Sequence, residues 1–181
     1  MFSKNKRLVV FFVPLSVLLI AGILIRFILF RPCLVLTNRS NPKNLLCFDC
    51  KPNAEFIISY THSVNKGRVK DFIKVSPDYS LTVEKTRFVS YGAGIPEPEE
   101  GQKFIKTDEY LEIQDINLNK PFFVQAVGVI ANHAIEINGK IYYLRNYFKP
   151  QTSLRIEYKK VFLPVFLLKN CNRAGGVIDV R

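Results

Sequence analysis

The stretch ISYTHSVNKG, residues 58–67, sets Tyr60, Thr61, His62 and Ser63 side by side and holds one of the two histidines in the 181-residue chain. A histidine beside a serine suggests acyl transfer, in which the imidazole takes the hydroxyl proton while the oxygen attacks a carbonyl. That chemistry needs base and nucleophile within hydrogen-bond reach. Successive side chains of a strand point to opposite faces, which sends Ser63 away from His62. No G-x-S-x-G elbow offers a sharp turn instead. The other partner in reach of His62 is a carboxylate, Asp71.

Cysteine chemistry is the second candidate. Cys47-Phe48-Asp49-Cys50 is a C-x-x-C, and with Cys33 and Cys171 the four cysteines allow three complete pairings. A redox pair of the thioredoxin kind belongs beside a βαβ pattern, and a zinc site needs two more spaced ligands. Neither context is present in the sequence. The cysteines are therefore expected to be structural disulfides or free thiols, with no metal and no cofactor.

The elements that must position these residues are strands. From Cys33 onward, short alternating runs are broken by Asn, Gly, Pro and Asp, the pattern of an all-β domain. Strands are expected at 33–36, 55–61, 69–75, 81–89, 110–116, 121–130, 133–137, 140–144 and 154–158. Pairing the second with the third so that apolar rows coincide sets His62 opposite Val69, Tyr60 opposite Asp71, Ile58 opposite Ile73 and Phe56 opposite Val75. His62 then lies diagonal to Asp71, and Tyr60, His62 and Asp71 form a polar cluster at the end of a core face. Asn138-Gly139 marks a hairpin, with a G1-bulge register that pairs Glu136 with Lys140 preferred over a two-residue loop. VFLPVFLL, residues 161–168, reads as a buried edge element in preference to a strip touching a membrane or a partner.

Composition sets the surroundings. The formal charge is +11, of which the first 32 residues contribute five basic side chains and no acid, leaving 21 basic against 15 acidic residues in the rest. Leu8–Ile25 is an uncharged run of 18 residues, and a helix over Leu8–Phe30 would measure about 34 Å, enough for a bilayer core. Its length and the lack of an A-x-A site favour a retained anchor over a cleaved signal peptide. Lys4, Lys6 and Arg7 before the run, against Arg26 and Arg31 at its end, place the N-terminus in the cytoplasm and the folded body outside it. The basic excess suits an anionic membrane surface or solute, and no nucleic-acid-binding motif is present. The expected organisation is a cytoplasmic N-terminus and anchor over 1–32, a β-domain over 33–160, and an apolar strip and tail over 161–181.

FIISYTHSVNKGRVKDFIKV, followed by LTVEKTRFVSYGAGIPE at 81–97, resembles the DUF1850 family of bacterial extracytoplasmic domains. The shared pattern is an aromatic residue, Y-T-H-S-V, a later acidic residue, T-R-F, and G-A-G-[IL]-P. The resemblance runs from about Cys33 to Tyr158 and leaves the anchor outside. Its signature falls on Tyr60, Thr61, His62, Ser63, Val64, Asp71, Thr86, Arg87, Phe88, Gly92, Ala93, Gly94 and Pro96. Several members carry Glu where this chain has Asp71. What the resemblance implies is association with tripartite TRAP transporters of the TAXI type, beside their permease and solute-binding subunits. That would make the chain an accessory to organic-anion uptake.

Two readings of the signature follow from its residue types. Arg87 and the backbone of the Gly92–Gly94 loop would suit a carboxylate ligand. Alternatively Arg87 closes a salt-bridged knot with Asp71 beside His62, which the acidic Glu97, Glu99 and Glu100 favour by repelling an anion. The sequence thus points to one transmembrane helix and an extracytoplasmic antiparallel sandwich or partly open barrel. Its expected role is a TRAP-associated interaction module; direct binding of a small anion is the alternative, and a hydrolase using His62 and Ser63 has the least support.

Overall fold

The computed structural model describes residues 14, 16–23, 25, 29–92, 94–95, 97–164 and the backbone of 178–179. Residues 14, 16–23, 25 and 29 are helical, and no helix among the described residues is long and apolar enough to cross a membrane. The anchor expected over Leu8–Phe30 lies in part outside those residues, as do Cys171, Ala93 and Pro96.

From Phe30 the chain is β-structure. The strands are β1 (Phe30–Asn38), β2 (Leu45–Asp49), β3 (Glu55–Thr61), β4 (Arg68–Val75), β5 (Leu81–Phe88) and β6 (Lys103–Lys106). They continue with β7 (Leu111–Lys120), β8 (Phe123–Ala126), β9 (Ala134–Ile137), β10 (Lys140–Tyr143), β11 (Ser153–Phe162) and β12 (Ile178–Asp179). All neighbours are antiparallel, in a four-stranded sheet ordered β2-β1-β11-β8 and an eight-stranded sheet ordered β12-β10-β9-β3-β4-β5-β7-β6. Two packed sheets, not a closed barrel, is the form the all-β expectation takes.

One core joins them. Leu34, Leu36, Phe48, Leu154 and Ile156 of the smaller sheet pack with Phe56, Ile58, Ile73, Leu81 and Ile135 of the larger. Each fully buried aliphatic or aromatic side chain contributes about 1.5–3 kcal/mol of transfer free energy, so this interleaving is the main stabilising term.

Two registers differ from expectation. In the β3–β4 hairpin Tyr60 faces Val69, Ile58 faces Asp71 and Phe56 faces Ile73, a slide of two residues. A two-residue slide keeps every side chain on its face, so the apolar pattern is blind to it. The turn decides. His62 leaves the strand, its backbone N–H donating to Gly67 O at 2.8 Å while Lys66 N–H donates back to His62 O at 3.2 Å. At the other hairpin Ile137 pairs with Lys140, with φ of 52° at Asn138 and 72° at Gly139. This is the two-residue loop with both central residues left-handed, not the G1 bulge; it follows the strand twist directly.

β2, β6 and β12 were not expected, and the run at 121–130 is strand only over Phe123–Ala126. β11 carries the chain through Phe162, the first two residues of the apolar strip, with Val161 buried.

The C-x-x-C is not a pair. Cys47 is disulfide-bonded, whereas Cys33 and Cys50 are free and buried. Cys47 packs with Cys33, Val35 and Val161 on one side of the smaller sheet, while Cys50 belongs to the core between the sheets. Burial first, then the charge of Asp49, pushes the Cys33 thiol up to about 12 and the Cys50 thiol up to about 11. Such thiols are inert. Iodoacetamide at pH 8 is therefore expected to spare Cys33 and Cys50 in the native protein and to label both after unfolding without reductant. Mass spectrometry showing either one alkylated in the native state would contradict this packing.

Candidate functional site

The site is made by a fault in the larger sheet. Leu81 and Val83 of β5 point into the core, but Lys85 does not; Thr86 and Phe88 do. The β4–β5 register jumps from Phe72 opposite Lys85 to Ile73 opposite Val83, leaving Glu84 as an extra residue. β7 shifts beside it, with Val83 opposite Leu118 and Lys85 opposite Gln114. Asp115 and Asn117 absorb that shift at φ of 62° and 51°. Bulges of this kind re-aim side chains, and this one reverses which face each residue of β5 presents.

Asp71 lies opposite Thr86, whose hydroxyl donates to Asp71 Oδ1 at 2.6 Å. Arg87, which strict alternation would have put on the same face as Asp71, is turned to the outer one. There its Nε and Nη2 donate to Glu112 Oε2 at 2.8 and 2.7 Å, and its guanidinium lies 3.9 Å from the Tyr110 ring centre. The expected Asp71–Arg87 salt bridge is therefore replaced by Arg87–Glu112. Burial works against Glu112, which is 2 % exposed, but hydrogen bonds from Gln114 and Arg87 and the charges of Arg87 and Lys85 hold its carboxyl below the usual range.

On the inner face, Tyr60, Asp71 and Thr86 form the polar floor of a cavity of about 380 Å³. Val69, Val83 and Phe88 flank the floor, Ile116 and Leu118 of β7 form a wall, and Phe123 of β8 faces them from the smaller sheet. Ile95, from the loop after β5, covers one end, and Lys120 stands in the lining at the end of β7. Leu118 is 43 % exposed, so apolar surface here is open to solvent. Burial pushes the Asp71 carboxyl above its usual range against the hydrogen bond from Thr86. Burial, then the charge of Asp71, pushes the Tyr60 hydroxyl up as well.

His62 is outside this lining. It is 6 % exposed, and its Nδ1 accepts the backbone N–H groups of Val64 and Asn65 at 3.3 and 3.4 Å. Asn65 Nδ2 in turn donates to Ser90 O at 2.7 Å. A Cβ on Gly92 would come within 3.3 Å of the imidazole, and Gly94 takes a φ of 89° that suits glycine. The imidazole thus braces the 62–67 loop, and Asn65 ties that loop to the one after β5. Ser63 is exposed, and the acceptor nitrogen it would need is given to backbone amides. Thr61 Oγ1 accepts from Arg68 Nη1 at 3.4 Å.

Residues 56–144 match the family model of a domain of unknown function, DUF1850. This segment is a DUF1850 domain. No curated protein and no solved structure matches the chain. The DUF1850 match is narrower than the span from Cys33 to Tyr158 expected from the sequence. It takes in the whole cavity lining, whereas β1, β2 and β11 of the smaller sheet fall outside it. Of the residues that carry the resemblance in the sequence, Tyr60, Asp71, Thr86 and Phe88 line the cavity; His62, Gly92 and Gly94 shape the loops beside it; Arg87 faces away.

Reading by alternation alone missed Glu112 as the partner of Arg87 and His133, whose ring lies 5.4 Å from that of Tyr60. It also missed the apolar walls. The signal was in LTVEKTRF: apolar residues at odd positions, then at even ones, require an extra residue between.

Two stability measurements check this geometry. Because the Asp71 pKa is raised on folding, the native chain holds that proton more tightly than the unfolded chain. Ionising Asp71 therefore erodes stability as pH rises from about 4 through the folded value. Asp71→Asn, which can still accept from Thr86, is expected to raise the urea midpoint at pH 7 and to leave it nearly unchanged at pH 3. A lower midpoint at pH 7 would contradict the cavity environment. Arg87→Ala should cost about 2 kcal/mol at neutral pH, and less in acid where Glu112 is protonated.

Proposed function

We propose that the chain is a non-catalytic binding module, anchored at the membrane with its β-domain outside the cytoplasm, and that the cavity floored by Tyr60, Asp71 and Thr86 is its working surface. The observation that carries this reading is the convergence of Tyr60, Asp71, Thr86 and Phe88, all residues that carry the family resemblance, on one solvent-open cavity. His62 and Ser63 lack the arrangement of base and nucleophile. The disulfide at Cys47 supports an oxidising compartment, and the apolar run Leu8–Ile25 supports the anchor.

The resemblance to DUF1850 supports a role as accessory to a TRAP system of the TAXI type, in contact with its permease or solute-binding subunits. Direct capture of a small organic anion is the weaker alternative, because a ligand in the cavity would meet the Asp71 carboxylate. The test is affinity purification of the full chain from membranes in mild detergent. Enrichment of transporter subunits, unchanged in Ser63→Ala and reduced in Leu118→Trp, is the expected result. Recovery of the protein without any transporter component would count heavily against the accessory role.

A further inference from the structure

We propose that the cavity binds a small organic cation, an ammonium group carried on an apolar body, with Asp71 as its counter-charge. This deepens, and rests on, the reading of the cavity as the working surface.

The argument starts from the unused half of a carboxylate. Asp71 Oδ1 takes the Thr86 hydroxyl at 2.6 Å, and among the described residues no donor or cation reaches Oδ2. Asp71 is half-buried and lines the cavity, so its carboxylate borders the open space. The arginine that could have neutralised it is diverted by the β5 bulge to Glu112. A charge kept in an apolar recess without a counter-ion is costly. The structure retains that cost where a ligand could relieve it.

The other groups facing Asp71 narrow the choice. The titratable lining residues are Tyr60, Asp71 and Lys120. Tyr60 offers a neutral hydroxyl, able to accept from the same ammonium. Lys120 is exposed and sits at the far end of β7. An anion would have to approach the carboxylate. A metal ion would find one carboxylate, and no group of three His, Cys, Asp or Glu able to hold a metal exists among the described residues. The walls of Val69, Phe88, Ile116, Leu118 and Phe123 match hydrocarbon or an aromatic ring. The volume of about 380 Å³ admits a small amine.

The test uses three probes of similar shape and different charge on the purified full chain in a lipid nanodisc: 2-phenylethylamine, 3-phenylpropionate and 3-phenylpropan-1-ol. Binding is read by calorimetry at pH 7 for wild type, Asp71→Asn and Leu118→Trp. The amine should bind at least tenfold more tightly than the propionate. It should weaken at least tenfold in Asp71→Asn, whose raised urea midpoint certifies its fold, and in Leu118→Trp, which fills the cavity from its exposed wall. Preference for the propionate, or equal amine binding in wild type and Asp71→Asn, overturns the inference. Binding of the alcohol alone, lost in Leu118→Trp, overturns the cation but keeps the cavity as a binding surface. No binding of any probe overturns both.

Discussion

The extra residue in β5 is the constraint on which the rest of the domain turns. Without it Lys85 and Arg87 would share a face with Leu81 and Val83 and enter the core beside Asp71, while Thr86 and Phe88 would face solvent. With it, one strand serves two environments. Its first half seals the sandwich against Leu34 and Ile156, and its second half roofs a smaller cluster of Val69, Phe88 and Ile113. The compensating shift in β7 carries Ile116 toward both clusters and leaves Leu118 on the open side. A cavity between two sheets is thereby obtained without shortening either sheet.

Charge on the larger sheet is partitioned by the same device. The outer face pairs its ions: Arg87 and Lys85 with Glu112, Lys70 with Glu136, Lys74 with Glu84. Exposed pairs of this kind add little stability, although the burial of Glu112 makes its pair an exception. The inner face holds one carboxylate with a single hydroxyl donor. The contrast lies in compensation: burial raises both acids, but the hydrogen bonds and cations around Glu112 outweigh it, whereas the single Thr86 hydroxyl at Asp71 does not, so two acids two strands apart are pushed in opposite directions from their ordinary range.

Much of this was legible from the residue order, and the limits were physical. β3 was read at its observed bounds because alternation and turn residues agree there. The all-β class followed from the same signals, while β2 and β6 were hidden, one behind a C-x-x-C that invited a chemical reading and the other as a short, exposed edge. The placement of Tyr60 and Asp71 on a common face survived a register error, because sliding by two preserves parity. Arg87 did not survive, because a bulge changes parity and strict alternation was assumed. His62 was expected to hold its loop while oriented by Tyr60 and Asp71; its Nδ1 accepts the amides of Val64 and Asn65, contacts set by a turn rather than by a strand.

β1 begins at Phe30 and its long partner is β11, so that Phe30 meets Phe162 and Leu36 meets Ile156. The first strand of the domain therefore waits for nearly the last. Contacts so distant in sequence are slow to form, since the loop they close must be paid for in entropy before any core is gained. During synthesis the larger sheet can assemble from its local hairpins while β1 and β2 stay unpartnered by β11, with Leu34, Leu36 and Phe48 uncovered. The stretch nearest the expected anchor would be the last to be protected, an exposure in time that the finished sandwich conceals.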